Sequence, residues 1–121
     1  MATRKVRKQY PIFKGNTGPV IPLRPLILGE KQDLDVNWTC QIALLDSSAV
    51  PVVAARAVTT KNQDNQAFLA ALTPAETASV TLDVGKDFTS FTQVMVVENT
   101  TTTPPYKVER RVTLQIKPEG I

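Results

Sequence analysis

Leu34-Asp35-Val36-Asn37-Trp38-Thr39-Cys40-Gln41-Ile42-Ala43-Leu44 decides the fold class. Leu34, Val36, Trp38, Cys40, Ile42 and Leu44 share one parity, and Asp35, Asn37, Thr39, Gln41 and Ala43 the other. Successive side chains of a strand point to opposite faces, so this spacing predicts a half-buried strand with Trp38 and Cys40 in the core. Asp46-Ser47-Ser48 supplies turn residues, and Pro51 to Val58 offers a second, weaker strand.

Further along, Thr59 to Gln66 is polar and reads as a loop, and Ala67 to Leu72 as a short strand with Phe68, Ala70 and Leu72 on one face. In Thr73-Pro74-Ala75-Glu76, Thr73 suits a helix cap, Pro74 the first helical position and Glu76 the third position of a capping box. The β-branched residues between Thr77 and Leu82 limit that helix to a single turn. Phe88 to Glu98 and Tyr106 to Lys117 are two more strands, joined by an exposed loop at Asn99 to Pro105. In the last strand Tyr106, Val108, Val112, Leu114 and Ile116 form an apolar face interrupted by Arg110. Lys107, Glu109 and Arg111 lie on the opposite face with mixed sign. Several short strands and one helical turn near Thr73–Thr77 predict an all-β chain folded as an antiparallel β-sandwich.

Upstream of that body the composition changes. Six of the 14 basic residues and none of the 11 acids fall in residues 1–25, so this segment carries +6 and the rest −3. Pro11, Pro19, Pro22 and Pro25 fix φ and remove backbone donors, which predicts an extended, irregular segment. The expected division is an arm over 1–25 and a β-domain over 26–121. The arm residues suited to a partner are Arg4, Lys5, Arg7, Lys8, Tyr10, Phe13, Lys14 and Arg24. Its charges suit an acidic neighbouring subunit or nucleic acid, on whose bases Tyr10 and Phe13 could stack. The body offers no basic face to continue a nucleic-acid track, which favours the protein partner.

Catalytic and metal chemistry have little to work with. The chain has no histidine, which removes His-based acid/base catalysis, the Ser-His-Asp triad and most zinc and copper sites. Asp33 and Asp35 alternate with core positions, as a solvated face does, and Asp83 and Asp87 flank a turn at Gly85. Cys40 has no nearby base to activate it and reads as an inert buried thiol. No catalytic residue, metal or cofactor is therefore expected. A single cysteine cannot form an internal disulfide, and the basic N-terminus MATRKVRKQYPIFK has no apolar segment behind it. Synthesis in a reducing compartment, without a membrane-spanning helix, is the matching expectation.

The segment from Phe68 to Ile116 resembles small proteins encoded in phage and prophage structural modules. Their pattern is a short strand, a leucine-threonine/serine-proline-glutamate turn and two closing strands. Here these are Leu72-Thr73-Pro74-Ala75-Glu76-Thr77-Ala78, Thr89 to Glu98 and Lys107 to Lys117. Leu28-Gly29-Glu30 to Leu45-Asp46 is similar to the family's opening strand. The resemblance implies an immunoglobulin-like sandwich, similar to N-terminal domains of some phage baseplate proteins. It also implies a place in the virion and no catalytic residues. The basic, proline-rich N-terminus departs from the family pattern and suggests an arm that clamps neighbouring subunits. The expected function is non-enzymatic: capsid decoration or cement, or a tail or baseplate component, in contact with other virion proteins and with copies of itself. The alternative is nucleic-acid binding through the basic arm.

Overall fold

The computed structural model describes residues 9–118. In chain order it contains β1 (Gln9–Phe13), β2 (Ile21–Leu23), β3 (Leu26–Ile27), β4 (Glu30–Lys31), β5 (Thr39–Leu45), β6 (Pro51–Ala57), β7 (Phe68–Ala70), α1 (Pro74–Ala78), β8 (Thr89–Asn99) and β9 (Tyr106–Lys117). The described residues are all-β apart from α1. One five-stranded sheet runs in the order β1-β9-β8-β5-β6, and β2-β7 and β3-β4 form two-stranded sheets.

The long β8–β9 hairpin, paired from Thr89↔Ile116 to Asn99↔Tyr106, is the backbone of the large sheet. Its period-two pattern sends Phe91, Met95 and Val97 from β8, and Val112, Leu114 and Ile116 from β9, into the core. Cys40, Ile42 and Leu44 of β5 join them, and Ile21, Leu23, Phe68, Ala70 and Leu72 close the same cluster from β2, β7 and the following turn. Gln93 is the exception on this face: it is fully buried, and its Oε1 has no hydrogen-bond partner.

Three features depart from the sequence expectation. The main sheet is mixed rather than purely antiparallel, because β1 pairs with β9 in parallel, from Gln9↔Thr113 to Phe13↔Lys117. The first strand of the body begins at Thr39, not Leu34. Asp35 takes the chain out of the strand: its carboxylate accepts from the Asn37 N–H at 2.9 Å and its carbonyl from the Trp38 N–H at 3.1 Å. Val36 on that turn is 94% exposed, although Leu34 and Trp38 on either side are buried. Thirdly, the described part of the proline-rich segment is extended, as expected, but built into the body. Ile21↔Ala70, Pro22↔Leu69 and Leu23↔Phe68 form a ladder, with Ile21 and Leu23 buried and Pro22 turned outward. β2 is paired on one side only, and such an edge strand tolerates a proline, which lacks an N–H.

α1 follows its sequence signal closely. Thr73 accepts from the Glu76 N–H, and Glu76 returns the bond to the Thr73 N–H at 2.8 Å, completing the capping box with Pro74 in the first turn. The β3–β4 hairpin turns on Leu28 and Gly29, both at positive φ, +50° and +79°. Two-residue hairpin turns of this hand favour Asn, Asp or Gly at such positions, so Leu28 is a strained choice.

Candidate assembly interface

The arm residues proposed from sequence divide into two groups. Arg4, Lys5, Arg7 and Lys8 lie outside the described residues. Tyr10, Phe13, Lys14 and Arg24 lie within them, and they do not form one continuous basic face.

Tyr10 and Phe13 occupy opposite parities of β1. Tyr10 is half-buried and packs with Ile12 against the core, and Phe13 is 44% exposed. The Lys14 N–H donates to the Lys117 carbonyl at 2.9 Å, extending the parallel ladder by one bond. The chain then crosses from the large sheet towards β2, held by a buried threonine on α1. The Thr77 hydroxyl donates to the Asn16 carbonyl at 2.6 Å and accepts from the Gly15 N–H at 3.1 Å. Gly18 donates its N–H to the Leu72 carbonyl at 2.9 Å, and a Cβ there would sit 3.3 Å from Leu72. Arg24, beyond β2, lies 3.7 Å from an Asp64 carboxylate oxygen and donates to Gln66 at 3.5 Å, both at the surface. A pair so exposed contributes little to stability.

Arg110, the charge on the apolar face of β9, reaches back to this segment and donates from Nη1 to the Pro22 carbonyl at 3.4 Å. It makes no ion pair among the described residues. The neighbouring charges do: Arg111 with Glu109 at 3.0 Å and Lys107 with Glu98 at 3.9 Å. Mixed sign therefore characterises the outer face of β9.

The large sheet has two edge strands, β1 and β6. β6 presents Val52, Ala54 and Ala55 to solvent, and two register irregularities interrupt its pairing with β5. Its one strong side-chain anchor is Arg56, whose guanidinium grips Glu76 of α1 at two points, 2.6 and 2.7 Å. Sequence reading placed Glu76 correctly as a cap but missed Arg56, because their 20-residue separation carries no local signal. It also missed the β3–β4 hairpin, for which Gly29 between apolar Leu26-Ile27 and charged Glu30-Lys31 was the available cue.

Cys40 is buried, and loss of hydration pushes its thiol up to about 11, so it is protonated at neutral pH and a weak nucleophile. Among the described residues, no group of three or more His, Cys, Asp or Glu side chains is placed to hold a metal ion, and no helix is long and apolar enough to cross a membrane. Gly85 adopts φ +77° in the Asp83–Asp87 turn, where Lys86 lies 3.7 Å from Asp83.

Comparison of the chain with protein-family models, with curated proteins and with solved structures finds no match.

Proposed function

We propose that this chain is a non-enzymatic structural protein of a bacteriophage virion. It is an immunoglobulin-like β-sandwich that decorates or cements a capsid or serves in the tail or baseplate, and its N-terminal segment docks on neighbouring subunits. The observation that carries the docking is β1, an N-terminal strand attached to the large sheet through one edge, in parallel with β9. A strand donated by a chain terminus to an open edge makes the same backbone bonds whether it comes from its own copy or from a neighbour. Exchange between copies then links subunits at little cost in contacts. The virion context is supported by the resemblance of Phe68–Ile116 to proteins of phage structural modules, and the six basic residues of 1–25 suit an acidic neighbour.

The test is the mass in solution of the full chain and of a chain lacking residues 1–13, at low and high salt. A full chain that forms larger oligomers than the truncated chain is the expected result; the same association state for both forms overturns docking through β1. Nucleic acid retained by the full chain at low salt and shed steeply at high salt would replace this reading with the nucleic-acid one, with a slope set by about five or six neutralised phosphates.

A further inference from the structure

We propose that the β3–β4 hairpin is a docking knob: Leu28 and Glu30 of one copy engage an apolar slot and the Arg110 guanidinium of a second copy. Leu28 is 99% exposed at φ +50°, so this leucine occupies a backbone region that disfavours it and gains no packing within its own chain. Strain and full exposure at one large apolar residue are both disadvantages to the isolated chain. They are accounted for if the tip is buried elsewhere.

The slot lies between the β2–β3 link and the inner face of the β8–β9 hairpin. It is a cavity of about 130 Å³, room for one aliphatic side chain, lined by Leu23, Pro25, Met95, Val97, Tyr106 and Val108 together with Arg24 and Arg110. Val108 on its wall is 47% exposed, so the slot opens to solvent. Arg110 lies two residues beyond Val108 on the same face of β9, about 7 Å along the strand. Glu30 lies two residues beyond Leu28. Neither Arg110 nor Glu30 makes an ion pair among the described residues. The knob thus carries an apolar tip followed by a carboxylate without an ion-pair partner, and the slot a mainly apolar recess with a guanidinium on its wall that meets the Pro22 carbonyl but no carboxylate.

The occupant is a second copy rather than the chain's own hairpin, because Leu28 stands fully exposed although the hairpin begins one residue after Pro25 of the slot wall. With knob and slot adjacent in the chain, two copies can exchange knobs reciprocally, an isologous two-fold contact. This contact is separate from docking through β1. The chain lacking residues 1–13 retains the hairpin and slot, and variants of the hairpin retain β1.

The test is sedimentation equilibrium of the full chain over a wide concentration range, with thermal unfolding measured in parallel. Leu28→Asn should weaken self-association at least tenfold and raise the melting temperature of the dilute, dissociated protein, since asparagine accepts the left-handed backbone. Arg110→Glu and Glu30→Arg should each weaken association by a similar factor, and the double variant should restore it. A chain that stays monomeric at every concentration, or an association that none of these substitutions changes, overturns the proposal. So does a charge-swapped pair that fails to recover association when both single variants lose it.

Discussion

Arg56 and Glu76 are locked by two short hydrogen bonds, Nε to Oε2 at 2.6 Å and Nη2 to Oε1 at 2.7 Å, and this pair ties the edge strand β6 to the helix α1. The Arg56 Nη2 also donates to the Ala71 carbonyl at 2.9 Å, and Glu76 Oε1 accepts the Thr73 N–H, so both side chains serve two structural purposes. The arginine hydrogen bonds hold the Glu76 carboxyl down at about 2, against the opposing effect of burial.

That lowered value fixes a pH dependence. In the unfolded chain Glu76 titrates near its ordinary 4.5, so the folded state binds this proton less readily than the unfolded one. The stabilisation is complete above about 4.5 and is lost as pH falls towards about 2. Glu76→Gln keeps the side-chain cap but removes the charge, so its acid unfolding curve should be flatter than wild type in that interval. Glu76→Ala should cost roughly 1 kcal/mol more than Glu76→Gln at neutral pH, because it also removes the cap. Circular dichroism against pH and denaturant reads both effects.

Truncations should separate the two parts of the N-terminal segment. Removing residues 1–24 takes Ile21 and Leu23 from the core, where loss of each such side chain costs about 2–5 kcal/mol. That is comparable with the whole stability of a small domain, about 5–15 kcal/mol. This truncation should therefore lose cooperative unfolding. Removing residues 1–13 spares β2 and should leave a cooperative transition at a lower temperature, measurable by calorimetry.

Gln93 offers a stabilising substitution. Its side chain is fully buried, Nε2 lies 3.3 Å from the Met95 sulfur, and Oε1 has no partner. Gln93→Met keeps the length and removes the unsatisfied amide, and should raise stability by about 1 kcal/mol or more in urea titration. An unchanged or lower midpoint would show that the amide has a partner or a function.

Trp38 is buried and meets Tyr106 edge to face, with ring centroids 5.2 Å apart. Trp38→Ala should cost about 3–5 kcal/mol, and Tyr106→Leu less, since the latter keeps much of the apolar volume. As the chain's single tryptophan, Trp38 should also report unfolding directly through its fluorescence.

Local patterns were legible where one residue type answered one local demand. The alternation placed Val112, Leu114 and Ile116 of the last strand and Phe68, Ala70 and Leu72 in the core, though Val108 of the same expected face is exposed, and Thr73-Pro74-Ala75-Glu76 gave the helix start. The same reasoning failed at Val36, where the alternation continued through a turn made by Asp35, because hydrophobic period alone does not register side-chain bonds to the backbone. Of the proposed arm residues, sequence supplied the charge and the aromatics but not the division between Tyr10 against the core and Phe13 at the surface.

The sequence by itself determined the all-β class, the positions of most strands, the capped turn and the charge asymmetry between the N-terminal segment and the body. These follow from period-two burial, capping chemistry and charge counts, all of which act within a few residues. Only the tertiary structure decided that β1 runs parallel to β9, that Ile21 and Leu23 complete the core, and that Arg56 grips Glu76. It likewise set Leu28 as an exposed tip and Arg110 as a guanidinium with no carboxylate partner among the described residues. Those outcomes depend on which open edge a strand meets and which distant side chain closes a charge, and these are settled by chain topology rather than by neighbours in sequence.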